Sequence, residues 1–163
     1  MLRSIPRMGL LTPLAVRIGR IPWLPRYLPQ IVWVDLWLQR LSGGRVTLLR
    51  IAGLPNLVLT VTGRKSGRAH LTPLLCVPVD GGFAVAGSNF GSPTEPAWAL
   101  NLLAAGRGSL SYGGVTREFT SHLAVGEERT ALWRELLGVW PNFALYEQRT
   151  TRTIKVFRLT PTG

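Results

Sequence analysis

Hydrophobic positions along the chain change period several times, and each change predicts an element. Leu57 to Thr62 is a β-branched, leucine-rich run of strand length, and His70 to Val77 is a second. Gly63-Arg64-Lys65-Ser66-Gly67-Arg68 joins them as a tight connection, with glycine where positive φ or close backbone approach is needed. Asp80-Gly81-Gly82 predicts a turn into a strand over Phe83 to Gly87. Ser109 to Tyr112, a Gly113-Gly114 turn and Val115 to Val125 predict another hairpin, and Ile154 to Leu159 a last strand. Arg45 to Ile51 alternates weakly and is expected as a first strand, ahead of a turn at Leu54-Pro55-Asn56.

The helical period appears in four places. Residues 30–42 follow Pro29 and stop at Gly43-Gly44, with apolar positions over most of the circumference and a narrow polar edge of Asp35, Gln39 and Arg40. Such a helix is either sandwiched in the protein or dipped into lipid. Thr94 and Pro96 open a helix running to about Ala105, and Glu127 to Leu137 is amphipathic with Leu132, Trp133, Leu136 and Leu137 inward. Trp140, Phe143 and Tyr146 recur every third residue, as on one face of a short helical turn. They form either a plug on the sheet or an aromatic wall over a planar ligand. Together these elements predict a mainly β fold with added helices (α+β): six to seven antiparallel strands in a small barrel, preceded by N-terminal helices.

Charge refines the organisation. The chain has 163 residues and a net charge of +11, which calls for an anionic partner. Arg3, Arg7, Arg17, Arg20, Arg26 and Arg40 lie among tryptophans, prolines and aliphatics, a pattern suited to a membrane surface and not to nucleic acid. No uncharged apolar run approaches the ~20 residues needed to span a bilayer, and no cleavage site for a signal peptide is evident. Residues 1–44 are thus expected as a basic, apolar, helical segment that meets an anionic membrane surface, or whose first 28 residues pack as an arm on the domain or on a second subunit in a homodimer. Residues 45–163 are expected as the barrel. A single cysteine, Cys76, sits inside an apolar run, so no disulfide framework exists and a reducing cytoplasm, with peripheral attachment to the inner face of the cell membrane, is the expected setting.

The chemistry inventory is sparse. His70 and His122 are the two histidines, and no HxxxH, CxxC or carboxylate cluster suggests a metal site. Scattered acids give no support to paired-carboxylate hydrolysis, no serine elbow accompanies a histidine base, and the basic loop lacks P-loop spacing. What remains is a cationic loop, a helix start carrying Trp98 and Asn101, and the aromatic triplet. That set suits a large planar phosphorylated cofactor that brings its own chemistry.

Three segments carry a resemblance: LTVTGRKSGRAHLTPLL (59–75), VAGSNFGSPTEPAWALNL (85–102) and WPNFALYEQRTTRTIKVFRL (140–159). In order and spacing they resemble the deazaflavin-dependent nitroreductase family, whose members use coenzyme F-420, an 8-hydroxy-5-deazaflavin with a phosphate and an acidic tail. The resemblance implies a split β-barrel of the FMN-binding type and an oxidoreductase passing hydride to a small planar acceptor such as a quinone, nitroaromatic or enone. It implies that Arg64, Lys65 and Ser66 contact the phosphate and tail, with His70 beside them. It implies that His70, Leu71, Thr72, Pro73, Leu74 and Leu75 run along the cofactor, and that Ala86, Gly87, Ser88 and Asn89 approach its ring. Ala97, Trp98 and Asn101 would contact it from the other side, and Trp140, Phe143 and Tyr146 would build the substrate wall. No metal is implied.

The chain departs from the family where relatives carry tyrosines throughout that wall; here Trp140 and Phe143 replace two of them. If a phenol there holds or protonates the acceptor, this chain would have to use Tyr146, Ser88 or water. The rival readings are a non-catalytic carrier of F-420, lipid or haem, and an FMN-dependent reductase on the same barrel.

Overall fold

Leu57, Leu59 and Val61 alternate inward along β1 (Asn56–Thr62), the period-two pattern of a strand with one face on a core. That pattern repeats around a computed structural model that describes residues 11–42 and 48–163. The strands are β1, β2 (Ala69–Leu75), β3 (Val77–Val79), β4 (Gly82–Ala86), β5 (Arg107–Tyr112), β6 (Val115–Leu123) and β7 (Val156–Thr162). They form one antiparallel seven-stranded sheet in the order β2-β1-β5-β6-β7-β4-β3. The two border strands, β2 and β3, are separated in sequence by Cys76 alone. One bent stretch of chain therefore stitches both edges of the sheet, pairing with β1 through its first half and β4 through its second, and closes a barrel. Cys76 is fully buried at the bend, its N–H donating to the Pro55 carbonyl at 3.0 Å. Burial pushes its thiol pKa well above the ordinary range, so it packs as a small apolar residue and offers no thiolate.

Among the described residues six α-helices dress the barrel: α1 (Thr12–Gly19), α2 (Leu28–Leu41), α3 (Leu48–Ile51), α4 (Ala97–Ala105), α5 (Gly126–Val139) and α6 (Asn142–Arg149). The core divides into two clusters across the sheet. Leu57, Leu59, Val61, Val85, Leu110, Phe119, Phe157 and Leu159 fill the barrel interior together with Ala99 and Leu102 of α4. Ala84 and Val156, one residue out of phase, point the other way into a layer with Leu132, Trp133 and Leu136 of α5 and Phe143 and Tyr146 of α6. Successive side chains of β4 and β7 thus serve two cores at once.

Four expectations change. The expected strand over Arg45 to Ile51 lies partly outside the described residues, as does the boundary at Gly44. Its second half is the single-turn helix α3, closed by Gly53 at φ 73°, with the Gly53 N–H on Arg50 O and the Leu54 N–H on Leu49 O. The helix expected from Thr94 begins at Ala97 behind Pro96, and the last strand begins at Val156. Along α2, Asp35 of the expected polar edge is buried, whereas Arg40 of the same edge, Trp33 and Trp37 are exposed. Among the described residues no helix is long and apolar enough to cross a membrane.

Candidate functional site

The cationic connection between β1 and β2 is a fixed object. Gly67 adopts φ 67°, where a side chain would be strained, and a Cβ on Gly63 would fall 2.6 Å from both Ser66 Oγ and His70 Nε2, exposed side-chain ends that would have to swing aside. The Gly63 N–H donates to Arg68 O at 2.7 Å and the Gly67 N–H to Gly63 O at 2.8 Å. Ser66 Oγ and His70 Nε2 lie 3.1 Å apart, and the Arg68 N–H reaches Ser66 Oγ at 3.3 Å. Arg64 is anchored twice: its backbone N–H and its Nη1 both donate to Asn101 Oδ1, each at 3.2 Å. Asn101 is buried on α4, so the helix sets where the loop stands. Among the described residues no carboxylate lies within ion-pair distance of Arg64, Lys65 or Arg68. Three exposed positive charges without a protein counter-charge are suited to an acidic ligand group.

From Asn101 the contacts continue across α4. Gly87 packs under Ala99 and Pro96, and its N–H donates to Lys155 O at 2.9 Å. The loop beyond it bends through three consecutive residues in the left-handed region, Asn89 (φ 44°), Phe90 (φ 54°) and Gly91 (φ 78°). Two of these are not glycine, and such strain persists only where surroundings over-determine the backbone. Phe90 meets Tyr146 edge-on with ring centroids 5.5 Å apart. The cationic loop, α4, the Ala86–Asn89 segment and α6 are therefore linked through one run of contacts.

The remaining predicted residues divide by layer. Leu74 and Trp98 pack against the barrel interior, Trp98 lying 6.0 Å from the Phe157 ring, and Leu75 and Ala86 pack on the opposite cluster. His70 and Leu71 are exposed, Thr72 and Pro73 half-buried, and Ala97 is exposed at the start of α4. Trp140, Phe143 and Tyr146 are all buried. Trp140 ends α5 instead of sharing a helix with the other two, and Phe143 packs between Trp133 (5.6 Å) and Tyr146 (6.1 Å).

What covers the triplet is α1. The Tyr146 hydroxyl donates to Gly19 O at 2.8 Å, Asn142 Nδ2 to Val16 O at 2.6 Å, and Arg149 Nη2 to Arg20 O at 2.9 Å, while Arg20 Nε donates back to Asn142 Oδ1 at 3.2 Å. A Cβ on Gly19 would fall 2.4 Å from the Trp140 ring, so only glycine lets the helix come this close. Burial raises the Tyr146 phenol above its ordinary pKa, opposed in part by its hydrogen bonding and by Arg149, so it stays protonated near neutral pH. An arm packed on the domain was one alternative for the N-terminal residues, and these bonds realise it, though no local pattern named the partners. Sequence reasoning missed Arg152, Glu95 and Lys155, which surround the Gly87–Ser92 loop and carry no local signature.

A sequence profile of the F420H(2)-dependent quinone reductase family matches residues 33–161. The chain belongs to that family. Rv3178 of Mycobacterium tuberculosis (strain ATCC 25618 / H37Rv), provisionally named an F420H(2)-dependent quinone reductase, is 29% identical over 108 residues, spanning 66% of this chain and 91% of that protein. A solved F420-H2 dependent reductase (FDR-A) superposes with TM-score 0.60 at 33% identity, covering 64% of this chain and 93% of that one. Another solved structure, described as a domain-swapped dimer, superposes with TM-score 0.63 at 31% identity and covers 78% of this chain and 96% of the other. Family membership makes the chain an oxidoreductase of the F-420 class and accords with the split-barrel architecture. The donor set fits that cofactor: unpaired cations and a hydroxyl at one end, aromatic and small apolar residues beyond.

Proposed function

We propose that the chain reduces a planar acceptor, a quinone first and a nitroaromatic or enone by the same chemistry, at the surface running from the cationic loop to α6. Arg64, Lys65, Ser66 and His70 hold the acidic phosphate and tail of coenzyme F-420. Strand β2 from His70 through Leu71, Thr72, Pro73, Leu74 and Leu75 flanks the cofactor, the Ala86-Gly87-Ser88-Asn89 segment approaches its ring, and Ala97, Trp98 and Asn101 meet it from α4. Bound reduced F-420 supplies the hydride. The protein contributes orientation and charge neutralisation, and Trp140, Phe143 and Tyr146 form a dry apolar wall once α1 lifts from them. Ser88, half-buried at the loop, and the protonated Tyr146 phenol are the groups assigned to hold or protonate the acceptor. Tyr146 reaches an acceptor only when its bond to Gly19 is released. The observation that carries this reading is the double anchoring of Arg64 to the buried Asn101, which aims an uncompensated cation from a rigid base. Mixing the protein with reduced F-420 and a menaquinone analogue is expected to give quinone-dependent reoxidation followed by the deazaflavin absorbance. Absence of reoxidation with every acceptor class, or preference for FMN, would overturn it.

The same reading gives the N-terminal segment a role in reaching a lipophilic acceptor from the cytoplasmic side of a membrane. Leu14, Ile18, Trp23, Trp33, Trp37 and Leu41 are exposed, and Arg17, Arg26 and Arg40 are exposed among them. Apolar and indole groups interleaved with cations favour the anionic interface of a bilayer. Deleting the segment would also strip the α1 clasp, so substitution is the cleaner probe. Trp33→Gln with Trp37→Gln is expected to lower co-sedimentation with phosphatidylglycerol vesicles about tenfold. Undiminished binding would remove the membrane assignment, and a concentration-dependent dimer lost in the same variant would assign the face to a second copy.

A further inference from the structure

Resting on the site reading above, we propose that Arg152 is a positioning residue that sets the ring-approaching loop through its carbonyl groups. Its guanidinium donates to three of them: Nη2 to Gly87 O at 3.0 Å and Ser88 O at 2.9 Å, and Nε to Ser92 O at 3.0 Å. The side chain is 13% exposed, and Nη1 lies 3.4 Å from Glu95 Oε1. Lys155 Nζ meets the same carboxylate oxygen at 2.5 Å. Glu95 thus sits between two cations, one of which spans both ends of the bend.

The geometry gives this hold a specific consequence. In a trans peptide the C=O and N–H point in opposite directions. Drawing the Gly87 and Ser88 carbonyls onto the guanidinium therefore turns the Ser88 and Asn89 N–H groups away from it and fixes the backbone that carries the Ser88 hydroxyl. The residues that follow, Asn89 and Phe90, occupy the left-handed region, which a non-glycine backbone leaves when released. Phe90 is also the loop's contact with Tyr146, so the fork of Arg152 joins both assigned proton-handling groups to one frame. Lysine retains the charge toward Glu95 but cannot reproduce a planar fork donating to three carbonyls.

Arg152→Lys and Arg152→Gln are compared with Lys155→Met, which removes the second cation and leaves the fork. In the protein without cofactor, amide exchange at Gly91 and Ser92 is expected to accelerate tenfold or more in both Arg152 variants, with barrel amides unchanged. With reduced F-420 and a menaquinone analogue, kcat per folded molecule is expected to fall about tenfold while KM for the cofactor moves less than threefold. Unaltered exchange at those two amides, equal acceleration in Lys155→Met, or turnover that tracks only the folded fraction would overturn the proposal. If the Gln variant fails to fold, the Lys variant decides. If the parent protein oxidises no reduced F-420, the site reading fails, whereas the exchange experiment still decides whether Arg152 holds the loop.

Discussion

Removing two of the three loop cations, Arg64→Ala with Lys65→Ala, is expected to weaken F-420 binding by roughly two to three orders of magnitude at low salt. A charge-assisted hydrogen bond to a ligand anion contributes roughly 1–3 kcal/mol, and 1.4 kcal/mol is about tenfold in affinity. The two positions separate two effects. Lys65 is exposed, so Lys65→Ala removes charge at almost no structural cost and is expected to lower affinity by roughly 1–3 kcal/mol alone. Arg64→Ala also leaves the buried Asn101 Oδ1 without its Nη1 donor, so part of its effect appears as lost stability. A fluorescence titration in rising salt tests the assignment: the parent's affinity is expected to fall steeply with salt, and that of the double variant only slightly. An unchanged dissociation constant in the double variant would place the acidic tail elsewhere.

The hairpin that carries these cations was legible because two apolar runs of strand length flank a connection punctuated by glycine. The requirement holds at Gly67 as positive φ, whereas at Gly63 the close neighbours are the exposed side chains of Ser66 and His70 and not backbone. Barrel closure was not legible. His70 to Val77 reads as one continuous strand, and nothing local reveals that its two halves pair with different partners on either side of Cys76. The strand expected up to Ile51 failed for a readable reason: Gly53 stands where a helix stop belongs, and weak alternation over a few residues cannot outweigh it. In α2 the narrow polar edge was legible, but the burial of Asp35 beside an exposed Arg40 was not. Burial of Asp35 with exposure of Trp33 and Trp37 depends on what the rest of the chain puts beneath the helix.

The candidate site shows the same division. Residues in consecutive motifs, from Arg64 to Leu75 and from Ala86 to Asn101, could be grouped before any geometry was known. The three-residue spacing of Trp140, Phe143 and Tyr146 located an aromatic cluster, but that α1 covers it, through bonds between residues more than a hundred positions apart, is a tertiary fact. Arg152 lies between two unremarkable threonines, and its carbonyl partners are some sixty residues away, so spacing holds no trace of the hold. A net charge of +11 made every arginine look like a candidate for an external anion, and the structure divides them. Arg152 acts inside the protein; Arg64, Lys65 and Arg68 face outward.

Gly91→Ala is expected to destabilise the fold by roughly 3–5 kcal/mol, whereas Gly113→Ala is expected to cost only about 1–2 kcal/mol. Both glycines have positive φ, 78° and 60°, so the two substitutions share the conformational penalty of placing a Cβ in the left-handed region. They differ in what the new methyl group meets. At Gly113 nothing lies within 4 Å, but at Gly91 the Cβ would fall 2.6 Å from Tyr146 O, 2.7 Å from Arg149 Cβ and 2.9 Å from Tyr146 Cα. Two of those three atoms are helix backbone, which cannot swing aside as a side chain would, so either α6 shifts or the loop does. A shift of α6 strains the Tyr146 bond to Gly19 and the Arg149 bond to Arg20; a shift of the loop strains the carbonyls gathered on Arg152. Denaturant melts should show the midpoint of Gly91→Ala far below that of Gly113→Ala, and for a domain of this size the thermal midpoint should drop by roughly 10 °C. Equal midpoints would mean that the loop and α6 are not packed backbone to backbone, and the run of contacts from the cationic loop to Tyr146 would lose its central joint.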